Sequence, residues 1–219
     1  MKELFYMFRK KDDIDEIFDQ TYEVMEKEYE MLKEVVHILR KTDRSETKID
    51  IKKEDKKINK FQMEARKRIF TELALSGPEN LNAGLVLMSI IIDVERLGDY
   101  TKNIVELAKI HPKKLKGGDL EESVVEIEDK MTFIFEKTLK AFKDKDEDVA
   151  REAMEMHPKV TKVVEDLLMT LLENRAGGLN AGEAVALTLY LRFIKRITSH
   201  LTNIASSVVN PLERIGYIE

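Results

Sequence analysis

IIIDVERLGDYTKNIV, residues 90–105, places an apolar run, an acidic row and a glycine in one helix-forming stretch. Glu95, Asp99 and Asn103 stand at i, i+4 and i+8. At ~100° per residue such positions drift only ~40° per step and form one row along a helix face. Ile90, Ile91, Val94, Leu97 and Val105 cluster on roughly the opposite side. The row is therefore expected to point away from the core that its own helix helps build. Gly98, inside the row, costs about 1 kcal/mol against alanine in a helix interior. Close approach of a neighbouring helix would offset that cost.

A second copy of the pattern lies 100 residues on, in YLRFIKRITSHLTNIA, residues 190–205. Arg96 and Arg196, Asn103 and Asn203, and Ile104 and Ile204 coincide, and LNAG occurs at both 81–84 and 179–182. The chain reads as a duplicated unit. Apolar residues spaced by three and four mark six helical segments, at about 13–42, 49–75, 80–110, 120–143, 147–173 and from 181 to about 209. Between the third and fourth, HPKKLKGGD (111–119) holds a proline and two glycines and reads as a solvated hinge. Long helices with short connections pack as antiparallel bundles. The expected fold is all-α, with two tandem three-helix bundles over residues 1–112 and 113–219. Pro158 is expected to kink the fifth segment or split it.

Composition agrees. Hydrophobic residues make up 43% and charged residues 36% of 219, with nine glycines, four prolines and no tryptophan, too few turn-formers for a sheet protein. A net charge of −5 argues against nucleic-acid binding, which rests on neutralising phosphates. The absence of cysteine removes thiolate ligands and cysteine nucleophiles. No apolar run approaches the ~20 residues of a membrane span, and the N-terminus charges too soon for a secretory signal, so a cytoplasmic location is expected. The apolar LFYMF, residues 4–8, precedes the first helix and is expected to pack on the bundle.

A row of oxygen donors without Cys or His suits a hard cation. One helix supplies too few ligands, and the second segment offers Asp55 and Asn59, again one turn apart. An antiparallel pair would bring Asp55, Asn59, Glu95, Asp99 and Asn103 together. The competing reading is a wet helix face neutralised by Arg96 and Lys102. No residue set reads as catalytic. Glu34 and His37 form a lone E-x-x-H, whereas ferritin-like di-iron sites need two copies. Neighbouring Ser199 and His200 on one helix do not face each other for nucleophilic chemistry.

ERLGDYTKNI, residues 95–104, resembles the E-R-[IL]-G-D-x-x-x-N-[IL] signature of the PhoU family of phosphate-uptake regulators. EDKKINKFQMEARKRIF, residues 54–70, resembles that family's D-x-x-I-N helix. The resemblance implies two three-helix repeats, a homodimer, and oxygen-ligated metal at Glu95, Asp99, Asn103, Asp55 and Asn59. Iron, zinc, magnesium or manganese would be the ion. It also implies an adaptor, not an enzyme, that meets phosphate transporter components and a sensor histidine kinase and reaches the membrane only through them. The second repeat departs from the signature. Lys195, Thr198 and Ser199 replace Glu, Gly and Asp, while His157 and Thr161 stand where acids belong. One metal-competent site in the first repeat and a vestigial one in the second are expected. The alternative is a helical scaffolding protein with no metal or phosphate role.

Overall fold

The computed structural model describes residues 13–44, 46–75, 80–111 and 113–217, so LFYMF lies outside the described residues. Six long helices follow in order: α1 Asp13–Lys41, α2 Ile51–Leu75, α3 Leu81–Ile110, α4 Glu121–Asp144, α5 Glu147–Leu172 and α6 Ala181–Val209. No strand occurs among the described residues. Local signals set the helix ends. Asp13, Asp15 and Glu16 open α1 and Arg40 and Lys41 close it, each charge matched to the nearer pole of the helix dipole. At α6 the Asn180 side chain accepts the Glu183 N–H, and the Glu183 carboxylate accepts the Asn180 N–H. The Asp146 side chain caps α5 by accepting the Val149 N–H at 3.1 Å. Pro158 does not split α5, which is one helix from Glu147 to Leu172. The proline is exposed, where its missing N–H and its ring are most easily accommodated.

Each half forms a three-helix bundle, α1–α2–α3 and α4–α5–α6, and the halves join through α3 against α6 and α1 against α4. α3 and α6 are thus the central pair. Ile90, Ile91, Val94, Leu97 and Ile104 on α3, with Tyr190, Leu191, Ile194, Ile197 and Ile204 on α6, are all fully or almost fully buried. No described helix is long and apolar enough to cross a membrane.

The expected solvated hinge is instead stitched into the body. Leu115, alone among lysines, is fully buried, and its N–H donates to the Leu39 carbonyl at 2.9 Å. The Arg40 guanidinium donates to the Leu115 carbonyl and pairs with Glu121 and Glu128, each at 2.7 Å. The Tyr190 hydroxyl also donates to Glu128. At the same end Gly118 adopts φ +57°, and a Cβ there would fall 2.4 Å from the Gly177 carbonyl oxygen. That oxygen accepts the Asp119 N–H, so the two Gly-rich connections lie against each other.

Candidate metal centre

The α3 row does not face open solvent. Glu95 and Asp99 retain only 16% and 25% of side-chain exposure, because α1 and α2 both pack on α3 and the row lines the crease between them. The helical wheel located the apolar stripe correctly. It could not show that a second helix covers the opposite flank.

Across the crease Asp55 on α2 is 9% exposed as a residue. Lys102 holds the two helices' acids together, its Nζ donating to Asp55 Oδ1 at 3.0 Å and Asp99 Oδ1 at 3.1 Å. Burial alone would lower the lysine's pKa, and the hydrogen bonds to Asp55 and Asp99 more than reverse that effect. Arg96 donates to Asp99 Oδ2 at 2.9 Å and lies 3.7 Å from Glu95. Glu95 is still raised above the usual carboxylate range, first by burial and then by the Asp99 charge. Asn59 contributes a buried Oδ1 with no hydrogen-bond partner. Asn103 is half-buried one turn beyond Asp99 and makes no hydrogen bond to the acids. The structure therefore brings Asp55, Glu95 and Asp99 to one crease, with Asn59 beside it, and leaves Asn103 at its margin.

One participant escaped the sequence reading. Glu28 on α1 is completely buried, and neither carboxylate oxygen has a hydrogen-bond partner. Its Oε1 lies 3.2 Å from where a Cβ on residue 98 would stand. Burial pushes its carboxyl well above the usual range, and the charges of Glu95, Asp55 and Asp99 push it further; its one favourable influence is the Gly98 backbone. Gly98 thus opens the space occupied by an acid from a third helix. The sequence carried a signal. Met25, Glu28, Met31 and Leu32 continue the α1 apolar stripe, with a carboxylate at a core position.

The donors are carboxylate and amide oxygens, a set that fits a hard cation. Three carboxylates, Asp55, Glu95 and Asp99, with the buried Glu28 carboxyl beside them, face two basic side chains, Lys102 and Arg96. The crease thus has room electrostatically for more positive charge. Among the described residues, however, no three acidic or histidine side chains already converge as a ready cation cluster. Lys102 lies between Asp55 and Asp99 and would have to yield its contacts.

The second repeat closes the equivalent space with neutral groups. Thr198, in the place of Gly98, donates to the Lys195 carbonyl at 3.1 Å and lies 3.2 Å from His157 Nδ1. Since its one hydroxyl hydrogen goes to Lys195, Nδ1 is assigned as the donor to Thr198. His157 Nε2 faces the Thr161 hydroxyl at 3.5 Å. Burial lowers the His157 pKa and the Lys195 charge lowers it further, so the ring is kept neutral. Lys195 itself pairs outward with Glu165 at 2.5 Å.

Asp93 belongs to neither row. Its Oδ1 accepts from His200 Nδ1 at 2.7 Å and Asn203 Nδ2 at 2.9 Å, tying α3 to α6. Tyr100 stacks on the His200 ring at 5.7 Å. Glu34, the acid of the lone E-x-x-H, accepts the backbone N–H groups of Lys48 and Ile49 and so secures the α1–α2 connection.

Comparison with known proteins places the fold. A family model described as the PhoU domain matches twice, over residues 21–108 and 124–208. The crystal structure of PhoU from Pseudomonas aeruginosa is similar, with a TM-score of 0.77 and 20% identity, covering 92% of this chain and 96% of that one. The crystal structure of the phosphate transport system regulatory protein PhoU from Streptococcus pneumoniae has a TM-score of 0.78 and 18% identity, covering 91% of this chain and 94% of that one. At such identities the likeness shows the shared fold. A search of curated proteins gives no match.

Proposed function

The chain belongs to the PhoU family, and from that premise we propose that it regulates phosphate uptake and phosphate signalling as a metal-binding adaptor. Its partners in this reading are a phosphate transporter at the membrane and a sensor histidine kinase. The protein works in the cytoplasm as a homodimer and represses the starvation response when phosphate is plentiful. PhoU is a regulatory, non-catalytic family.

The observation that supports a cation in the first repeat is the charge imbalance of the crease. Asp55, Glu95 and Asp99 would hold it, with Asn59 as a neutral oxygen donor and Asn103 at the rim. Iron, zinc, magnesium and manganese are the ions to be tested. A bound cation would fix α2 against α3 and give the crease a defined surface for a partner. The second repeat, with its histidine and hydroxyls already paired to each other, holds none.

Lys102 favours one competing reading, a scaffold whose acids are neutralised internally and bind no metal. Two measurements separate them. Cells lacking the protein should express a phosphate-starvation reporter at high phosphate, and the wild-type gene should restore repression while Asp99→Ala should not. Normal repression in the deleted strain would refute the phosphate role. Equal repression by wild type and Asp99→Ala would refute the metal's part in it.

A further inference from the structure

We propose that Glu28 of α1 is a direct ligand of the cation held by Asp55, Glu95 and Asp99, making the centre a three-helix site beside Gly98. The inference rests on the metal reading above and deepens it, because Glu28 lies outside every motif that pointed to the site.

Three observations carry it. The residue is fully buried, and both of its carboxylate oxygens lack a hydrogen-bond partner. Buried polar groups are nearly always paired, so two orphaned oxygens on one carboxylate call for a missing partner. The missing partner lies on the acid side. Oε1 stands 3.2 Å from the position a residue-98 Cβ would take, and residue 98 lies on the turn between Glu95 and Asp99. The Asn59 Oδ1 on α2 is likewise buried and unpaired. Unpaired buried acceptors from two helices thus flank the acid row of a third, and the Gly98 backbone is the one described group that favours the Glu28 charge. A water or a neighbouring N–H would supply a hydrogen bond, whereas a hard cation answers several oxygens at once and offsets the mutual repulsion of the acids.

A cation seated there would couple α1, α2 and α3. The first repeat would be clamped at one point on each of its helices, whereas a two-helix site would leave α1 free of the metal. The second repeat puts a threonine in place of the glycine, and the space in front of α6 is filled by side chains paired to one another.

The test compares metal-stripped wild type, Glu28→Gln, Gly98→Ala and Asp99→Asn by calorimetric titration with Mn²⁺, with thermal midpoints and Mn²⁺ paramagnetic resonance on the same samples. Glu28→Gln keeps the shape and removes an uncompensated carboxyl, so the metal-free protein should fold at least as well as wild type. Its Mn²⁺ affinity should fall about tenfold or more, since even groups behind the ligands commonly cost that much. The metal-induced rise in midpoint should shrink and the resonance line shape should change. Gly98→Ala leaves every carboxylate in place and crowds Glu28 Oε1, and should weaken Mn²⁺ binding in the same direction. If Glu28→Gln binds Mn²⁺ as wild type does while Asp99→Asn does not, the metal reading stands and Glu28 is a neutral structural acid, overturning the inference. If wild type binds no Mn²⁺, Fe²⁺, Zn²⁺ or Mg²⁺, both fall together.

Discussion

Replacing Lys102 with methionine separates the two roles that the crease combines. The Lys102 ammonium bridges Asp55 and Asp99 at 3.0 and 3.1 Å, with side chains 29%, 13% and 25% exposed. Fully exposed pairs contribute about 0–1 kcal/mol, whereas breaking a fully buried pair costs about 3–5 kcal/mol. Two contacts at this partial exposure fall between, at about 1–2 kcal/mol in total. Removing the lysine also leaves Asp55, Glu95 and Asp99 facing Arg96 alone, which adds repulsion in the same direction. For a chain of this size, about 2–4 °C of midpoint accompanies each kcal/mol, so Lys102→Met should melt roughly 2–8 °C lower in chelator. The sign reverses when metal is supplied. The ammonium competes with a cation for Asp55 and Asp99, so Lys102→Met should bind Mn²⁺ more tightly and regain more of its midpoint on loading than wild type does. Thermal unfolding by circular dichroism, with chelator and across a Mn²⁺ series, reads both effects. An unchanged midpoint in chelator would show that Lys102 is an idle surface pair. Weaker Mn²⁺ binding by the variant would show that the cation and the lysine do not share the acids, and would refute the reasoning.

Other consequences follow from the same contacts. Arg40→Met leaves the Leu115 carbonyl and Glu128 without their guanidinium, and should cost about 3–5 kcal/mol, measurable as a denaturant midpoint shift. Glu128 would still accept from Tyr190, so the loss should fall on the linker more than on α6. His157 has a folded-state pKa below its unfolded value, because burial and Lys195 disfavour its charged form. Its contribution to stability is therefore present above the unfolded value of about 6.5 and is lost as pH falls through the lowered folded value. His157→Gln should flatten the part of the stability–pH profile below about pH 6.5, and an unchanged slope would contradict the assignment.

Much of the fold was legible in the periodicity of the chain. The apolar residues of 90–105 and 190–205 have the same spacing because both helices are central, and a central helix needs a wide apolar face. Glu95 and Asp99 could be set on one face because residues one helical turn apart form a row, and the same spacing put Asp55 beside Asn59. What the sequence hid depends on neighbouring helices. Glu28 stands as one charged residue in an apolar stripe, and only the packing of α1 on α3 shows that its carboxyl meets Gly98. Leu115 is one apolar residue among lysines, read as part of a hinge until Leu39 and Arg40 anchor it. Asp93 is close to the acidic row in sequence but takes no part in it. It points to His200 and Asn203, partners 107 and 110 residues away that no local pattern links. Pro158 announced a break that α5 does not make, since an exposed proline removes one N–H without halting a helix otherwise held by its packing.

The most direct test is metal titration of the stripped protein against two variants, one in each repeat. The account predicts binding confined to the first repeat, abolished by Asp99→Ala and unchanged by His157→Ala. Binding that survives Asp99→Ala, or two equivalent sites of which His157→Ala removes one, would contradict it.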